Sequence, residues 1–161
     1  MKKKVAYLGM YLALALVCSY IESLIPFYFG VPGMKLGLAN LVIVFTLYRM
    51  GACDAFLLSV LRVLISGFAF GNGFSILYSL SGAILSFLVM FLFYRMKKFK
   101  TITVSVMGGI SHNVGQLLVA AFLVENYDVL YYLPVLLIAG FITGLLIGVV
   151  ASEILLRLQR R

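Results

Sequence analysis

Residues 32–40 read P-G-M-K-L-G-L-A-N and lie between two long apolar runs. Pro32 and Gly33 favour a turn, and Lys35 places a positive charge beside it. A helix that begins near Gly37 directs its free N–H groups and the positive end of its dipole back at this turn. The stretch therefore predicts a local anion-attracting site, and we expect the rest of the chain to hold it against buried polar groups.

The composition predicts an integral membrane protein made of helices. Of the 161 residues, 64% are hydrophobic and 11% are charged, and the mean hydropathy is +1.14. Soluble domains carry about 25% charged residues, so this chain cannot cover a water-facing surface. Its apolar runs are long and continuous, whereas the strands of a membrane barrel alternate over about ten residues. We therefore predict one all-α membrane domain over residues 1–161.

Six transmembrane spans can be laid out, each needing roughly 20 apolar residues to cross a hydrocarbon core of about 30 Å. The first is interpreted as retained, because no small-x-small cleavage site follows it. The second is short, and short spans interrupted by Gly or Pro are typical of binding sites in transporters. Local thinning of the bilayer or a misplaced boundary is the alternative. The predicted spans are about 5–25, 36–48, 52–69, 74–94, 101–124 and 130–156.

The basic residues predict how the bundle is oriented. All but Lys35 and Arg62 of the thirteen Lys and Arg residues fall in the N-terminus, in the loops after spans two and four, or at the C-terminus. Since cytoplasmic loops are rich in Lys and Arg, both termini are predicted to be cytoplasmic and the 32–40 turn to face outward. Short basic clusters between apolar runs are a topology signal, so the lipid bilayer is the expected partner and nucleic acid is not.

Polar residues inside the predicted spans outline a candidate site. Arg62 lies near the middle of span three, where a charge is costly unless it faces the bundle interior and finds a partner. Glu22 is the nearest counter-ion by depth, so a ligand role for Arg62 and an internal Glu22–Arg62 ion pair are both open. In the run S-H-N-V-G-Q of span five, His112 and Gln116 share a helical face, which indicates either a site wall or an interhelical hydrogen-bond cluster. The residues predicted to bind substrate are Lys35, Asn40, Arg62, His112, Asn113 and Gln116.

Small residues predict where the helices pack. In lipid, such residues let helix backbones approach closely. Gly9 and Ala13 form a small-x-x-x-small pair in span one, which either packs internally or docks a membrane partner. Asn72, between two glycines, is expected to serve a turn. The packing stripes are Ser75, Ser79, Gly82 and Ser86 in span four and Gly140, Gly144, Gly148 and Ser152 in span six.

The sequence indicates binding or permeation rather than catalysis. It has no Walker motif, and its five carboxylates are scattered, so no acidic pair could hold magnesium against a diphosphate. No Cys or carboxylate lies at ligand spacing from His112, so no metal site is predicted. No cofactor is expected in the chain itself.

The K-L-G-L-A-N turn at 35–40, the span with Arg62 and the S-H-N-V-G-Q segment at 111–116 together resemble one family. It comprises the small membrane proteins called Gx transporters, or component I of heptaprenyl diphosphate synthase. The family is grouped with the substrate-binding S components of energy-coupling-factor (ECF) transporters. The resemblance implies six helices, an outward-side substrate pocket and a place in the bacterial cytoplasmic membrane.

The resemblance implies two kinds of partner. An S component would act with an ECF coupling subunit and with ATPases that hydrolyse ATP with Mg. Members of the family are also associated with flavin-bearing membrane partners, on which FMN would lie. The main hypothesis is thus a binding and transport subunit for a small anionic or amphipathic molecule. The alternative is a non-catalytic membrane subunit of a flavin/quinone redox or prenyl diphosphate assembly.

Overall fold

A computed structural model describes residues 2–24, 37–125 and 127–159, and the chain is helical through most of these ranges. Lys35, one of the predicted site residues, lies outside the described residues. The described part forms six α-helices and a short 3₁₀ segment, Tyr127–Tyr132, before the last of them. The helices are α1 (Lys2–Leu24), α2 (Leu38–Arg49), α3 (Ala52–Phe70), α4 (Gly73–Arg95), α5 (Thr101–Val124) and α6 (Leu133–Gln159).

The order of the helices confirms the predicted all-α architecture with a short second helix. Five of the described helices are long and apolar enough to cross a membrane, by length and composition. Helix α2 has 12 residues, and at that length it extends only about 18 Å. The sixth span was predicted from about residue 130, but the α-helix begins at Leu133. Pro134 fits its first turn because the missing N–H of proline has no intrahelical partner there.

Helix α2 closes a ring of packed helices. Helices α1, α3, α4, α5 and α6 contact one another in that order, and α2 packs on α1, α3 and α6. Six of its residues are buried, and Ile43, Val44 and Leu47 are among the largest fully buried side chains of the described chain. Helix α2 is therefore both a structural centre and one wall of the bundle interior.

Glycines bring the backbones of α5 and α6 into contact. A Cβ placed on Gly144 would lie 2.7 Å from the Cα of Val106, and one on Gly148 would lie 2.8 Å from the Cα of Ile102. Ser105 Oγ donates a hydrogen bond to the carbonyl oxygen of Gly144 at 2.8 Å across the same interface. The predicted packing role of the span-six stripe is confirmed at these positions.

Helix α4 packs on α5 in the same way. A Cβ on Gly82 would lie 2.8 Å from the carbonyl oxygen of His112. Ser86 Oγ donates to the carbonyl oxygen of Gly108 at 2.8 Å. Packing is therefore confirmed for Gly82 and Ser86. The predicted turn role of Asn72 is also confirmed, because its Oδ1 accepts a hydrogen bond from the Ser75 N–H at 2.7 Å and caps α4.

Two contacts define one end of the bundle, which we call the terminal end. Lys4 Nζ lies 2.8 Å from Asp54 Oδ2, which joins the starts of α1 and α3. The rings of Tyr48 and Tyr94 lie 5.0 Å apart and join the ends of α2 and α4. The other end, where α1 and α3 finish, is called the far end. The cytoplasmic placement of the terminal end stays a prediction.

The outer surface of the bundle is apolar. Large side chains such as Phe68 and Phe122 are each 81% exposed, which suits a hydrocarbon environment and not water. On α1, Gly9 and Ala13 are exposed, and a Cβ on Gly9 would meet nothing within 4 Å. The pair lies on the exposed face of α1, and docking of a partner stays a prediction for it.

Candidate functional site

The first turn of α2 lies inside the bundle. Gly37 precedes the helix with φ 74°, a left-handed conformation that glycine adopts without strain. A Cβ on Gly37 would lie 3.3 Å from Cδ1 of Ile147, which is midway along α6. The helix therefore begins beside the middle of α6, as expected for the predicted interrupted span.

Glu22 of α1 supplies the acceptor that the start of α2 needs. Its Oε1 accepts a hydrogen bond from the Leu38 N–H at 2.7 Å, and its side chain is buried. The first N–H groups of a helix have no intrahelical partner and carry a partial positive charge, so a carboxylate is favourable there. The anion-attracting end of α2 is thus partly neutralised by the protein itself, which the sequence did not predict.

Asn40 holds Arg62 in the bundle interior. Arg62 is only 8% exposed, and its Nη2 donates to Asn40 Oδ1 at 3.1 Å. Its Nε is buried and has no hydrogen-bond partner among the described residues. Gly37 occupies the cap position of α2, so the Asn40 side chain does not cap the helix and contacts Arg62 instead.

The opposite charges of Glu22 and Arg62 interact electrostatically. Each side chain is also tied to the first turn of α2, Glu22 through the Leu38 N–H and Arg62 through Asn40. This turn therefore connects α1 with α3. The direct ion pair proposed from depth alone stays a prediction.

Arg62 and the polar residues of α5 line one cavity, which we call the inner cavity. Its volume is about 30 Å³, room for about two water molecules. Ser105, Gly108 and Gly109 also line it, on the α5 face predicted for His112 and Gln116. The cavity brings together all the predicted substrate-binding residues that the structure describes: Asn40, Arg62, His112, Asn113 and Gln116. Substrate binding by them stays a prediction.

The side-chain amides of Asn113 and Gln116 on α5 differ in their hydrogen bonding. Asn113 Nδ2 donates to the carbonyl oxygen of Leu136 at 2.8 Å, so this side chain joins α5 to α6. Gln116 Nε2 is buried and has no hydrogen-bond partner among the described residues. Asn113 is therefore partly structural, while Gln116 has donor capacity left for a molecule in the inner cavity.

A second cavity lies on the other side of Arg62, and we call it the serine vestibule. Its volume is about 60 Å³. This cavity was not predicted from the sequence, which suggested only a packing role for Ser75 and Ser79. A signal was available, because Ser19 and Ser23 are four residues apart on the face of α1 next to Glu22. The polar lining consists of Ser19, Ser23, Ser66, Ser75, Ser79 and Arg62.

The described residues contain no group of three His, Cys, Asp or Glu side chains that could hold a metal ion. Two of the carboxylates form pairs elsewhere in the fold. Asp54 pairs with Lys4, and Glu153 accepts a hydrogen bond from Arg157 Nε at 3.1 Å. The arrangement around Arg62 therefore suits binding of an anion, with hydrogen-bond donors from several helices.

A comparison with known protein families identifies the family to which this chain belongs. The family model described as heptaprenyl diphosphate synthase component I matches residues 11–154, from near the middle of α1 to near the end of α6. The chain belongs to the heptaprenyl diphosphate synthase component I family. The predicted family is thereby confirmed, and the matched range contains both cavities. No curated protein and no solved structure matches the chain. The relation of component I to ECF S components stays a prediction.

Removal of the Glu22 acceptor is expected to weaken the start of α2. Glu22→Leu leaves the Leu38 N–H without this partner and leaves the buried Arg62 without the charge that interacts with it. It should cost at least about 1–2 kcal/mol of stability, the range of a lost helix cap. Glu22→Gln keeps an acceptor oxygen and should cost less. The measurement is the thermal unfolding midpoint of the full chain in mild detergent.

The matched control is Glu153→Leu. Its carboxylate pairs with Arg157 one turn away on an exposed surface, with 58% of the side chain accessible, and such pairs contribute little. If Glu153→Leu lowers the midpoint as much as Glu22→Leu does, the capping role of Glu22 is wrong.

Proposed function

We propose that this chain is a non-catalytic membrane subunit that binds the charged head of an amphipathic anion inside the bundle and works with a partner subunit. The observation that supports this best is the buried Arg62, which is held by Asn40 and keeps an Nε–H without a partner among the described residues. A guanidinium is well suited to oxyanions, because its donors bind two oxygens at once.

The family supports the proposal that the chain is one subunit of an assembly, and it suggests the chemical class of the ligand. The description heptaprenyl diphosphate synthase component I names one component of an assembly that makes a prenyl diphosphate. A prenyl diphosphate has a long apolar chain and an anionic head, which fits an apolar bundle with a buried arginine. We therefore propose a head group of the diphosphate type. No carboxylate lines the inner cavity, so the magnesium-dependent chemistry would belong to the partner.

Binding of such a head group requires the inner cavity to widen. Its present volume has room for about two water molecules. Helix α5 is fixed to α6 by backbone contacts at Gly144 and Gly148, whereas the start of α2 meets α6 through the side chain of Ile147. We propose that α2 is the wall that shifts. Arg62 would then supply charge, and Asn40, His112 and Gln116 would supply hydrogen bonds.

A second candidate is uptake of the anion, with the chain as an S-component-like transport subunit. One observation favours it: α2 begins at Leu38, inside the bundle, and interrupted helices of this kind form substrate sites in transporters. In this case ATP and Mg would be bound by partner ATPases behind an ECF coupling subunit. If the chain is instead a subunit of a redox assembly, its partner would be a flavin-bearing protein, and FMN would be bound by that partner. The exposed Gly9 and Ala13 are the proposed docking position.

Gln116→Leu tests the inner cavity as a ligand site. We expect wild-type protein purified in mild detergent to retain an anionic amphiphile that mass spectrometry can identify, and the variant to lose most of it. The thermal midpoint of the empty variant should not fall below that of wild-type protein freed of the amphiphile, because Gln116 Nε2 has no hydrogen-bond partner to lose among the described residues and a buried unsatisfied donor is costly.

Ser111→Ala is the control for this experiment. Ser111 adjoins His112, but its Oγ donates to the carbonyl oxygen of Met107 on the same helix, and it does not line the inner cavity. The control should retain the amphiphile. Wild-type protein without any anionic compound, or an undiminished amount in Gln116→Leu, would contradict the proposed function.

The partner separates the two candidates. Co-purification of a protein with prenyltransferase activity would favour the subunit of a synthase. Co-purification of a coupling subunit with ATPases, and ATP-dependent accumulation of the anion in vesicles that contain all of them, would favour uptake. A flavoprotein in place of either would favour the redox assembly.

A further inference from the structure

We propose that the serine vestibule is a separate oxyanion subsite, which binds a phosphate head group between the far end of the bundle and Arg62. This inference rests on the proposed function, because Arg62 belongs to both cavities. It extends that function by giving the head group a defined position before the inner cavity.

The serine vestibule is open at the far end of the bundle, and Arg62 lies at its inner end. Ser23, Phe70 and Gly71 are exposed at the far end of the bundle. Deeper in, Ser19 and Ser79 are each 9% exposed, and Arg62 lies beside the inner cavity. A molecule that reaches the vestibule from the far end therefore meets hydroxyl groups first and the guanidinium last.

The polar groups of the vestibule have unused bonding capacity. Among the described residues, neither Ser19 Oγ nor Arg62 Nε has a hydrogen-bond partner, although both atoms are buried. Two such donors in one cavity are costly unless water or a ligand binds them. The hydroxyls of Ser23 and Ser66 donate to carbonyl oxygens of their own helices, at 2.7 and 3.3 Å. A hydroxyl can rotate away from such a bond toward a ligand.

Charge and size select an oxyanion. The lining contains an arginine and no carboxylate. Glu22 interacts with Arg62 from outside the lining, so the guanidinium is the charged group that a molecule in this cavity would contact, and it favours an oxyanion. The volume of about 60 Å³ is twice that of the inner cavity and has room for about four water molecules. One tetrahedral phosphate group is of this size, and arginine with several hydroxyls is a typical phosphate-binding set.

An aromatic pair stands at the mouth of the vestibule. The rings of Tyr20 and Phe70 lie 5.8 Å apart, one on α1 and one on α3, and both are partly exposed. An apolar chain attached to the head group could lie along these rings and the apolar surface of α1. The position therefore suits the head of an amphiphile better than a free metabolite that is polar throughout.

The test uses the full chain in nanodiscs of phosphatidylcholine, with inorganic pyrophosphate as the soluble probe. We expect pyrophosphate to raise the thermal midpoint of the wild type. Ser19→Ala and Ser79→Ala should each weaken the apparent affinity about tenfold, the effect of one lost hydrogen bond to a charged group. The control is Ser81→Ala on α4, whose hydroxyl donates to the carbonyl oxygens of Tyr78 and Gly115 and lies outside the vestibule.

A second set of nanodiscs contains phosphatidic acid and no pyrophosphate. Stabilisation by this lipid alone, sensitive to Ser19→Ala, would support the subsite with a bilayer lipid as the source of the phosphate. Stabilisation by pyrophosphate would support it with a soluble or transferred head group. No effect of either probe, or effects that both serine variants leave unchanged, would overturn the subsite. The loss of the amphiphile in Gln116→Leu tests the proposed function in a separate experiment. A negative result with the serine variants would therefore overturn the subsite without contradicting the inner cavity as a ligand site.

Discussion

Gly144→Val is expected to cause the largest loss of stability of any substitution considered for this chain. A Cβ at this position would lie 2.7 Å from the Cα of Val106 and 2.9 Å from the carbonyl oxygen of Ser105. Both are backbone atoms of α5, so the added side chain can be accommodated only if α5 and α6 separate. The Ser105–Gly144 hydrogen bond is then lost as well. We expect a cost of about 3 kcal/mol or more, at the upper end for overpacked interiors.

The measurement is the yield of monodisperse protein in mild detergent together with its thermal unfolding midpoint. Gly9→Val is the matched control, because a Cβ on Gly9 meets nothing within 4 Å and the residue is exposed on α1. The control should change the midpoint little. If the two variants behave alike, backbone contact between α5 and α6 is not what stabilises the bundle.

The architecture could be predicted from the sequence because its signals are local. The length of each apolar run predicts a helix, and the glycines at every fourth residue of α6 predict the face that meets a neighbour. The short apolar run between two interruptions correctly predicted α2. The shared face of His112 and Gln116 follows from helical spacing alone, and these residues do line one cavity.

The contacts of the charged residues could not be predicted, because they depend on which helices are neighbours. Depth alone suggested Glu22 as the partner of Arg62. The structure gives Asn40 as the hydrogen-bond acceptor of Arg62, and a backbone N–H as a donor to Glu22. A contact to a backbone group cannot be predicted from residue types, because every residue has the same backbone. The Lys4–Asp54 pair was missed for the same reason, since it requires α1 to lie beside α3.

The serine vestibule shows a related difficulty. Serine spaced at three or four residues in a membrane helix indicates close packing or a polar lining equally well. In α4 both occur: Ser86 bonds to the backbone of α5, while Ser75 and Ser79 face the vestibule. Gly108 lies opposite Ser86 at the contact with α5, whereas Ser75 and Ser79 face a cavity that residues of α1 and α3 also line.

The double variant Glu22→Gln/Arg62→Met is expected to fold and to lack the bound amphiphile. Arg62→Met alone is ambiguous, because it also leaves the buried Glu22 carboxylate without the charge that interacts with it. Neutralising both residues removes this imbalance, and neutral replacements of buried charge pairs are often tolerated. Gln at position 22 also keeps an acceptor for the Leu38 N–H. The thermal midpoint of the double variant should therefore lie near that of wild-type protein freed of the amphiphile.

Loss of the guanidinium should nevertheless reduce the amount of co-purified amphiphile about 30-fold or more, the effect expected when a buried hydrogen-bonded charge pair loses one partner. The measurement is quantitative mass spectrometry of bound anions per mole of folded protein, with Glu22→Gln as the single-variant control. If the double variant keeps the amphiphile, Arg62 serves only to balance Glu22 and to lock α1 to α3. If the amphiphile is lost while the fold persists, the arginine is retained in the bundle for its ligand, since the helices pack without it.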